Sequence, residues 1–198
     1  MRFLFLHLPK TAGTSIIKSL GTSVSQLKTT ILAEKITAAE TRNITYDHYP
    51  TWKLIRDGQM DPDYLENTFI FAGIRNAWDR FRSLYYYKRI YKKYSPSEAV
   101  DLLYEEKDQD YSMWNPYEYW LRGIENCHFI RYESLQKDFN TICETINIPL
   151  RELAECNLNQ HYPTLSPKEF YQENPGIKER IFEYYAEDIE RFNQTFPY

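Results

Sequence analysis

The stretch FLFLHLPKTAGTSIIKSL, residues 3–20, decides the fold of this chain. Residues 3–6 are an unbroken apolar run, which is typical of a strand buried on both faces of a sheet. Residues 9–15 form a turn with one glycine, one lysine and several small or hydroxyl-bearing side chains, and residues 15–20 are predicted to be helical. Such a crossing from strand to helix is an anion site, because the first N–H groups of the helix and the positive end of its dipole face the loop.

Two alternatives stay open for this loop. Short loops rich in Thr, Ser and Gly also occur as ordinary connections between a strand and a helix. A nucleotide kinase would carry the pattern GxxxxGK[ST], in which the lysine follows the second glycine. Lys10 precedes Gly13 here, so that pattern is absent and a P-loop kinase is the weaker of the two.

A second crossing from strand to helix follows further along the chain. Residues 68–73 are an apolar run that predicts a strand, and the apolar positions after it recur at helical spacing. Arg75 lies at the turn, and Ser83 follows about two helical turns later. A guanidinium group suits a phosphate dianion, and a hydroxyl adds a neutral donor. The alternative is an arginine in a surface ion pair with Asp79 and a serine that faces solvent.

The two crossings together resemble a known family. The stretch HLPKTAGTS, residues 7–15, resembles the 5'-phosphosulfate loop of sulfotransferases that use 3'-phosphoadenosine-5'-phosphosulfate as donor, and it is most similar to the carbohydrate-modifying branch, related to the heparan 2-O-sulfotransferases and their small bacterial relatives. Arg75 and Ser83 resemble the 3'-phosphate site of that family, although relatives often have proline where Ala77 stands. The resemblance implies a P-loop-like sulfotransferase fold and donor binding by Lys10, Thr11, Ala12, Gly13, Thr14, Ser15, Arg75 and Ser83.

Sulfuryl transfer also needs a group that stabilises the leaving oxygen and a base for the acceptor hydroxyl. Lys10 suits the leaving oxygen as a mobile cation. His48 is the expected base, because it follows a predicted strand on the ligand edge of a parallel sheet and resembles the histidine-bearing segment of the heparan 2-O-sulfotransferases. Asp47 and His161 are the reserve candidates, and the alternative for His48 is a surface or core histidine. Of the remaining histidines, His7 is expected to pack within its strand, and His128 is expected to open a buried strand.

Predicted strands alternate with predicted helices, which indicates a three-layer α/β fold with a parallel sheet and helices on both faces. Besides the strands above, strands are predicted at residues 43–47 and 127–132. Helices are predicted at residues 50–58, within 73–94, and at 96–106, 117–122, 134–146 and 177–193, and a long ordered loop is predicted at 157–174. Residues 22–43 predict no element. Since no linker-like composition interrupts the chain, residues 1–198 are expected to form one domain.

Composition narrows the class of partner. A formal net charge of −4 argues against nucleic acid, which requires a strong cationic footprint. Three cysteines without CxxC spacing predict reduced thiols instead of a disulfide framework or a zinc site, and no metal is expected. No signal peptide and no apolar window of about 20 residues is seen, so a cytoplasmic protein is expected. The expected acceptor is a glycan hydroxyl. A catalytically silent nucleotide-binding module is the alternative from another functional class.

Overall fold

The computed structural model describes residues 1–21, 25–27, 44–87, 89–109, 112–154, 156 and 165–198, with the backbone alone at residues 25–27 and 44–47. These residues group into two units. The first comprises Met1–Ile74 and Trp120–Asn157, and the second comprises Arg75–Tyr119 and Leu158–Tyr198. The helices are α1 (Gly13–Leu20), α2 (Thr51–Arg56), α3 (Asp63–Glu66), α4 (Ala77–Tyr87), α5 (Pro96–Glu105), α6 (Tyr117–Leu121), α7 (Leu135–Ile146), α8 (Pro167–Glu173), α9 (Ile177–Tyr184) and α10 (Ala186–Arg191), with short 3-10 helices at Ile90–Lys92 and Tyr132–Ser134.

A parallel sheet organises the first unit. Its strands are β1 (Phe3–His7), β2 (Ser25–Leu27), β3 (Ile44–Asp47), β4 (Phe69–Ile74) and β5 (Cys127–Arg131). Their order is β2-β3-β1-β4-β5, and every neighbouring pair is parallel. The prediction of a parallel α/β sheet flanked by helices is confirmed. β2 lies where the sequence predicted no element, because three residues are too few to show a strand pattern.

The strand that opens the chain lies in the middle of this sheet. Phe3 and Phe5 are fully buried in a core that also contains apolar residues of α1 and α7. Leu4 and Leu6 alternate with them and are buried as well, so both faces of β1 are covered. This burial explains why β1 has a continuous apolar sequence and not an alternating one.

Aromatic side chains build the core of the second unit. Phe81 of α4 is fully buried, and its ring centroid lies 5.6 Å from that of Trp114. The hydroxyls of Tyr171 and Tyr185 donate to the backbone carbonyl oxygens of Trp78 and Trp114, each at 2.7 Å. Rings that bury their apolar bodies while their hydroxyls bond to the backbone account for part of the high tyrosine content, 18 of 198 residues.

Two predicted elements of the middle of the chain differ in the structure. The helix predicted within residues 73–94 ends at Tyr87, and Arg89 has a left-handed backbone with φ 55° before the 3-10 helix begins. The strand predicted as buried at residues 127–132 is β5, in which His128 and Arg131 are exposed. β5 is one of the two edge strands of the described sheet and pairs there with β4.

The carboxyl-terminal part of the chain also corrects the sequence prediction. The loop predicted at residues 157–174 is wrong over Pro167–Glu173, which is α8; residues 157–164 of that loop lie outside the described residues. Ser166 and Glu169 cap α8 reciprocally, because the Ser166 Oγ accepts from the Glu169 N–H and the Glu169 carboxylate accepts from the Ser166 N–H. The single helix predicted at 177–193 is divided at Tyr185 into α9 and α10. None of the described helices combines the length and the apolar character that crossing a bilayer requires.

Candidate functional site

The loop between β1 and α1 has an unusual backbone. Lys10 and Ala12 have φ angles of 63° and 65°, in the left-handed region that side chains other than glycine rarely adopt. Between them, Thr11 is fully buried, and its hydroxyl donates to the Leu8 carbonyl oxygen at 2.9 Å. A backbone held in such a conformation costs about 1–3 kcal/mol per residue and persists only when its surroundings enforce it. Thr11 therefore holds the shape of the loop from inside.

The loop lies directly against the neighbouring strand β4. A Cβ atom added to Gly73 would lie 2.5 Å from the Thr11 carbonyl oxygen and 2.9 Å from its hydroxyl oxygen. Both distances are far shorter than ordinary van der Waals contact, so only glycine permits this approach at position 73.

The first residue of α1 lies equally close to a histidine. A Cβ atom on Gly13 would lie 1.8 Å from Cδ2 of His7, which is the last residue of β1 and is buried. The prediction that His7 packs within its strand is therefore incomplete, because its ring also supports the start of the helix.

The amino terminus of α1 has the properties of an anion site. Its N-cap residue, Ala12, has no side chain that can accept a hydrogen bond, and no acidic residue lies in the first turn. The first N–H groups of the helix and the positive end of its dipole face the loop, and neither the cap residue nor an acidic side chain of the first turn offsets that positive end. Thr14 is half-buried and Ser15 is buried in this first turn, and Lys10 of the loop is half-buried.

His48 lies at the end of β3 on the same edge of the sheet. β1 and β3 pair with His7 opposite Asp47, and His48 follows with a left-handed φ of 55°. Nδ1 of His48 is 2.9 Å from the His7 carbonyl oxygen, and the two imidazole centroids are 4.3 Å apart. A carbonyl oxygen can only accept, so Nδ1 carries the hydrogen and Nε2 holds the lone pair of the neutral ring. This is the tautomer that a base needs.

The structure gives less detail for Asp47 and His161, the reserve candidates for the base, and it places His128 on another strand. Asp47 is described by its backbone alone, and His161 lies outside the described residues. His128 is exposed on β5, and its ring stacks on Phe69 with centroids 4.3 Å apart. His128 therefore packs against a neighbouring strand, but the prediction that it opens a buried strand is wrong for its side chain, which is exposed.

In the second unit, Arg75 is followed by the start of α4. Asn76 caps this helix, since its Oδ1 accepts from the Trp78 N–H at 3.2 Å. Ser83 is buried within α4, so the alternative of a serine facing solvent is wrong. Asp79 accepts a hydrogen bond from the hydroxyl of Tyr198.

The backbone of Arg75 is held by two side chains from distant parts of the chain. The Tyr117 hydroxyl accepts from the Arg75 N–H at 2.9 Å and donates to the Arg75 carbonyl oxygen at 3.1 Å. Nε2 of Gln194 donates to the same carbonyl oxygen at 3.3 Å, while its Oε1 accepts from the Ala77 N–H at 2.9 Å. Within the second unit, the backbone of Arg75 is therefore held at its N–H and at its carbonyl oxygen.

Tyr117 is itself fixed by a buried charged network. Its N–H donates to the two carboxylate oxygens of Asp188, at 2.9 and 2.7 Å. The Arg80 guanidinium lies over the Tyr117 ring, 4.5 Å from its centroid, and donates to the carbonyl oxygens of Met113 and Asn115 at 3.1 and 2.8 Å. Burial raises the pKa of Asp188 to about 6 and the pKa of Tyr117 to about 12. The Tyr117 hydroxyl therefore keeps its hydrogen at neutral pH and serves as donor and acceptor together.

The structure thus joins some predicted residues through residues that the sequence did not single out. His7 contacts Gly13 and hydrogen-bonds His48 through its carbonyl oxygen, which links the loop to the candidate base within the first unit. Gly73 carried a readable signal, because a glycine inside an apolar strand indicates a close backbone approach. Tyr117 and Gln194 had no such signal in the sequence.

Among the described residues, no group of three or more His, Cys, Asp or Glu side chains is arranged to hold a metal ion.

Comparisons with known proteins bear on this arrangement. The model of a family described as the sulfotransferase family matches residues 1–197. The crystal structure of a sulfotransferase from Alicyclobacillus acidocaldarius is similar to this chain, with 13% sequence identity and a TM-score of 0.53 over 99% of this chain and 97% of that one. At this identity the likeness concerns the fold alone. A search of curated protein sequences found no match.

Proposed function

The chain belongs to the sulfotransferase family, and from that premise we propose that it moves a sulfuryl group from 3'-phosphoadenosine-5'-phosphosulfate to an acceptor hydroxyl. The observation that carries the proposal is the contact series in the first unit. The start of α1, our proposed anion site, lies against His7, and the His7 carbonyl oxygen accepts from Nδ1 of His48, which leaves Nε2 as the basic nitrogen of the neutral ring.

The start of α1 is proposed to bind the 5'-phosphosulfate. The backbone N–H groups from Ala12 to Ser15 and the hydroxyls of Thr14 and Ser15 would donate to its oxygens. Because the Thr11 hydroxyl already donates to Leu8, Thr11 would contribute its N–H group.

Lys10 is proposed to stabilise the leaving oxygen. As the sulfuryl group moves, negative charge grows on the bridging oxygen of the departing nucleotide, and a cation placed there lowers the barrier more than it strengthens ground-state binding. The left-handed backbone of Lys10, fixed by the neighbouring Thr11, would direct this side chain.

His48 is proposed to accept the proton of the acceptor hydroxyl at Nε2. The ring would become an imidazolium whose Nδ1–H still donates to the His7 carbonyl oxygen, so that oxygen stabilises the charged form and orients the ring. Asp47 and His161 remain the reserve candidates.

Arg75 and Ser83 are proposed to hold the 3'-phosphate of the donor. Arg75 supplies a guanidinium for a bidentate contact, and Ser83 supplies a hydroxyl from α4. The support is their spacing across the crossing from β4 to α4, the fixed backbone of Arg75 and the burial of Ser83.

Three broader features complete the proposal. The acceptor is a carbohydrate hydroxyl, as the similarity of residues 7–15 to the carbohydrate-modifying branch implies. The three thiols are free, which supports a reducing compartment such as the cytoplasm. The family match extends through residues of both units, which supports one functional domain over residues 1–198.

The experiment is a transfer assay with separate pools of oligosaccharides, phenols and aliphatic alcohols as acceptors. We expect a product heavier by one SO3 group in the oligosaccharide pool, together with release of 3'-phosphoadenosine-5'-phosphate. Binding of that nucleotide without product in any pool would favour the silent nucleotide-binding module. Failure to bind the nucleotide would contradict the donor assignment.

A further inference from the structure

Tyr117 touches Arg75, a proposed ligand-binding residue, but has no part in the proposed mechanism. It is fully buried, it is 42 positions from Arg75 in the chain, and its hydroxyl bonds to both backbone polar groups of Arg75. Burying a tyrosine hydroxyl requires partners, yet one partner would suffice. The use of both groups at one residue fixes the position of that residue along the turn and the direction of its Cα–Cβ bond.

We infer that Tyr117 is a positioning residue that directs Arg75 toward the 3'-phosphate of the donor nucleotide, and this inference rests on the proposed function. Gln194 assists from the other side by bonding to the Arg75 carbonyl oxygen and the Ala77 N–H. Neither side chain is proposed to touch the nucleotide.

The physical reason lies in where regular structure ends. β4 ends at Ile74 and α4 begins at Ala77, so neither the sheet ladder nor the helix supplies the hydrogen bonds of Arg75. A long, flexible side chain binds a phosphate well only if its backbone origin is fixed, because otherwise the cost of ordering it falls on binding. Tyr117 is rigid enough for this task, since Asp188 binds its N–H and Arg80 covers its ring.

The test compares the dissociation constants of 3'-phosphoadenosine-5'-phosphate and adenosine-5'-phosphate, measured by calorimetry on the full chain. These ligands differ only in the 3'-phosphate, so the ratio of their constants reports on the proposed 3'-phosphate site of Arg75 and Ser83, of which Tyr117 contacts Arg75. Tyr117→Phe keeps the ring and removes the hydroxyl. We expect this substitution to raise the dissociation constant of 3'-phosphoadenosine-5'-phosphate by roughly tenfold, the lower end of the effect of losing a residue that orients a metal-binding side chain. The dissociation constant of adenosine-5'-phosphate should not change.

Tyr185→Phe is the matched control. Tyr185 is also fully buried in the second unit, and its hydroxyl donates to a backbone carbonyl oxygen, that of Trp114, at 2.7 Å. Its removal costs a similar buried hydrogen bond without touching Arg75, so the ratio should stay that of the wild type. Equal ratios in Tyr117→Phe and Tyr185→Phe, or equal weakening of both ligands by Tyr117→Phe, would overturn the inference.

Two other outcomes of this experiment have a defined meaning. If Tyr117→Phe does not fold, Gln194→Met replaces it, with a smaller loss of the same ratio expected; an unchanged ratio there overturns the inference. If the wild type binds both nucleotides equally, the assignment of Arg75 and Ser83 in the proposed function fails, and with it the premise of the inference.

Discussion

The contact between Gly73 and Thr11 makes Gly73→Ala a sharp perturbation of the loop between β1 and α1. The added Cβ would lie 2.5 Å from a backbone oxygen, which cannot rotate away as a side chain could. To reach ordinary contact at 3.4 Å, the loop must retreat from β4 by about 0.9 Å. The change adds one methyl group, yet it moves the segment that carries Lys10 and the start of α1.

The expected loss of stability is modest. Overpacking of this kind costs about 1–3 kcal/mol, and replacing glycine by alanine returns about 0.4–1 kcal/mol through the unfolded chain. The net destabilisation is then between about 0 and 2.6 kcal/mol, or a fall in Tm of up to about 10 °C for a chain of this size. The loss of activity is larger, because a displacement of about 1 Å in positioned groups costs about 100-fold in rate.

The assay pairs urea unfolding with turnover in the transfer reaction. Gly123→Ala is the control: it lies in the first unit with φ 76°, and an added Cβ meets nothing within 4 Å. Its cost is backbone strain of about 1–2 kcal/mol, which is similar in stability but away from the loop. Turnover of Gly73→Ala within about threefold of Gly123→Ala, far from the 100-fold expected, would refute the reasoning that the approach of the loop to β4 sets catalytic geometry.

Three further predictions address single groups. Lys10→Ala should lower kcat by about 100- to 1000-fold with a smaller loss of donor affinity; a change confined to the donor KM would make Lys10 a ground-state ligand. His48→Ala should lower kcat by about 100- to 10,000-fold with nucleotide binding retained, and wild-type kcat/KM should rise with pH through one group near neutrality; near-normal turnover would move the base to His161 or Asp47. Because burial raises the pKa of Asp188 from 3.8 to about 6, the folded chain holds a proton between pH 4 and 6 that the unfolded chain releases. Stability from this group therefore falls as pH rises through that window, by up to about 3 kcal/mol. Urea titrations should show that Asp188→Asn lacks this dependence, and an identical pH profile in both proteins would contradict it.

Local rules allowed the sequence to predict much of the fold. The apolar run of β1 and the change to helical spacing after Arg75 each depend on residues within a few positions of one another. The start of α5 follows a local rule as well, because Ser95 and Glu98 form a capping box there. The same capping-box pattern also occurs at the start of α8, where the sequence predicted a loop. Ser166-Pro167-Lys168-Glu169 repeats the pattern of Ser95-Pro96-Ser97-Glu98, but it lies in a stretch rich in Pro, Tyr and Asn that favoured a loop.

The same dependence on nearby residues decides which parts of the candidate site could be predicted from sequence motifs. Lys10, Gly13 and Arg75 belong to short patterns, so their residue types and spacing were visible in the sequence. The tautomer of His48 was not visible, because it depends on the carbonyl oxygen of His7, 41 positions away and brought near by the parallel pairing of β1 with β3. Register between strands that are distant in the chain has no local signature, especially where a strand is only three or four residues long.

The support of Arg75 illustrates the same limit in the second unit and gives it a physical cause. A residue that follows the end of a strand, as Arg75 does, has left the sheet ladder, so its backbone needs partners that the strand does not provide. Those partners come from 42 and 119 positions away, at Tyr117 and Gln194, and they follow no spacing rule because any side chain with a suitable donor and acceptor can satisfy them. Short motifs therefore identify the groups that we propose to meet a ligand, while the groups that we infer to direct them are found only when the hydrogen bonds of each turn are traced in three dimensions.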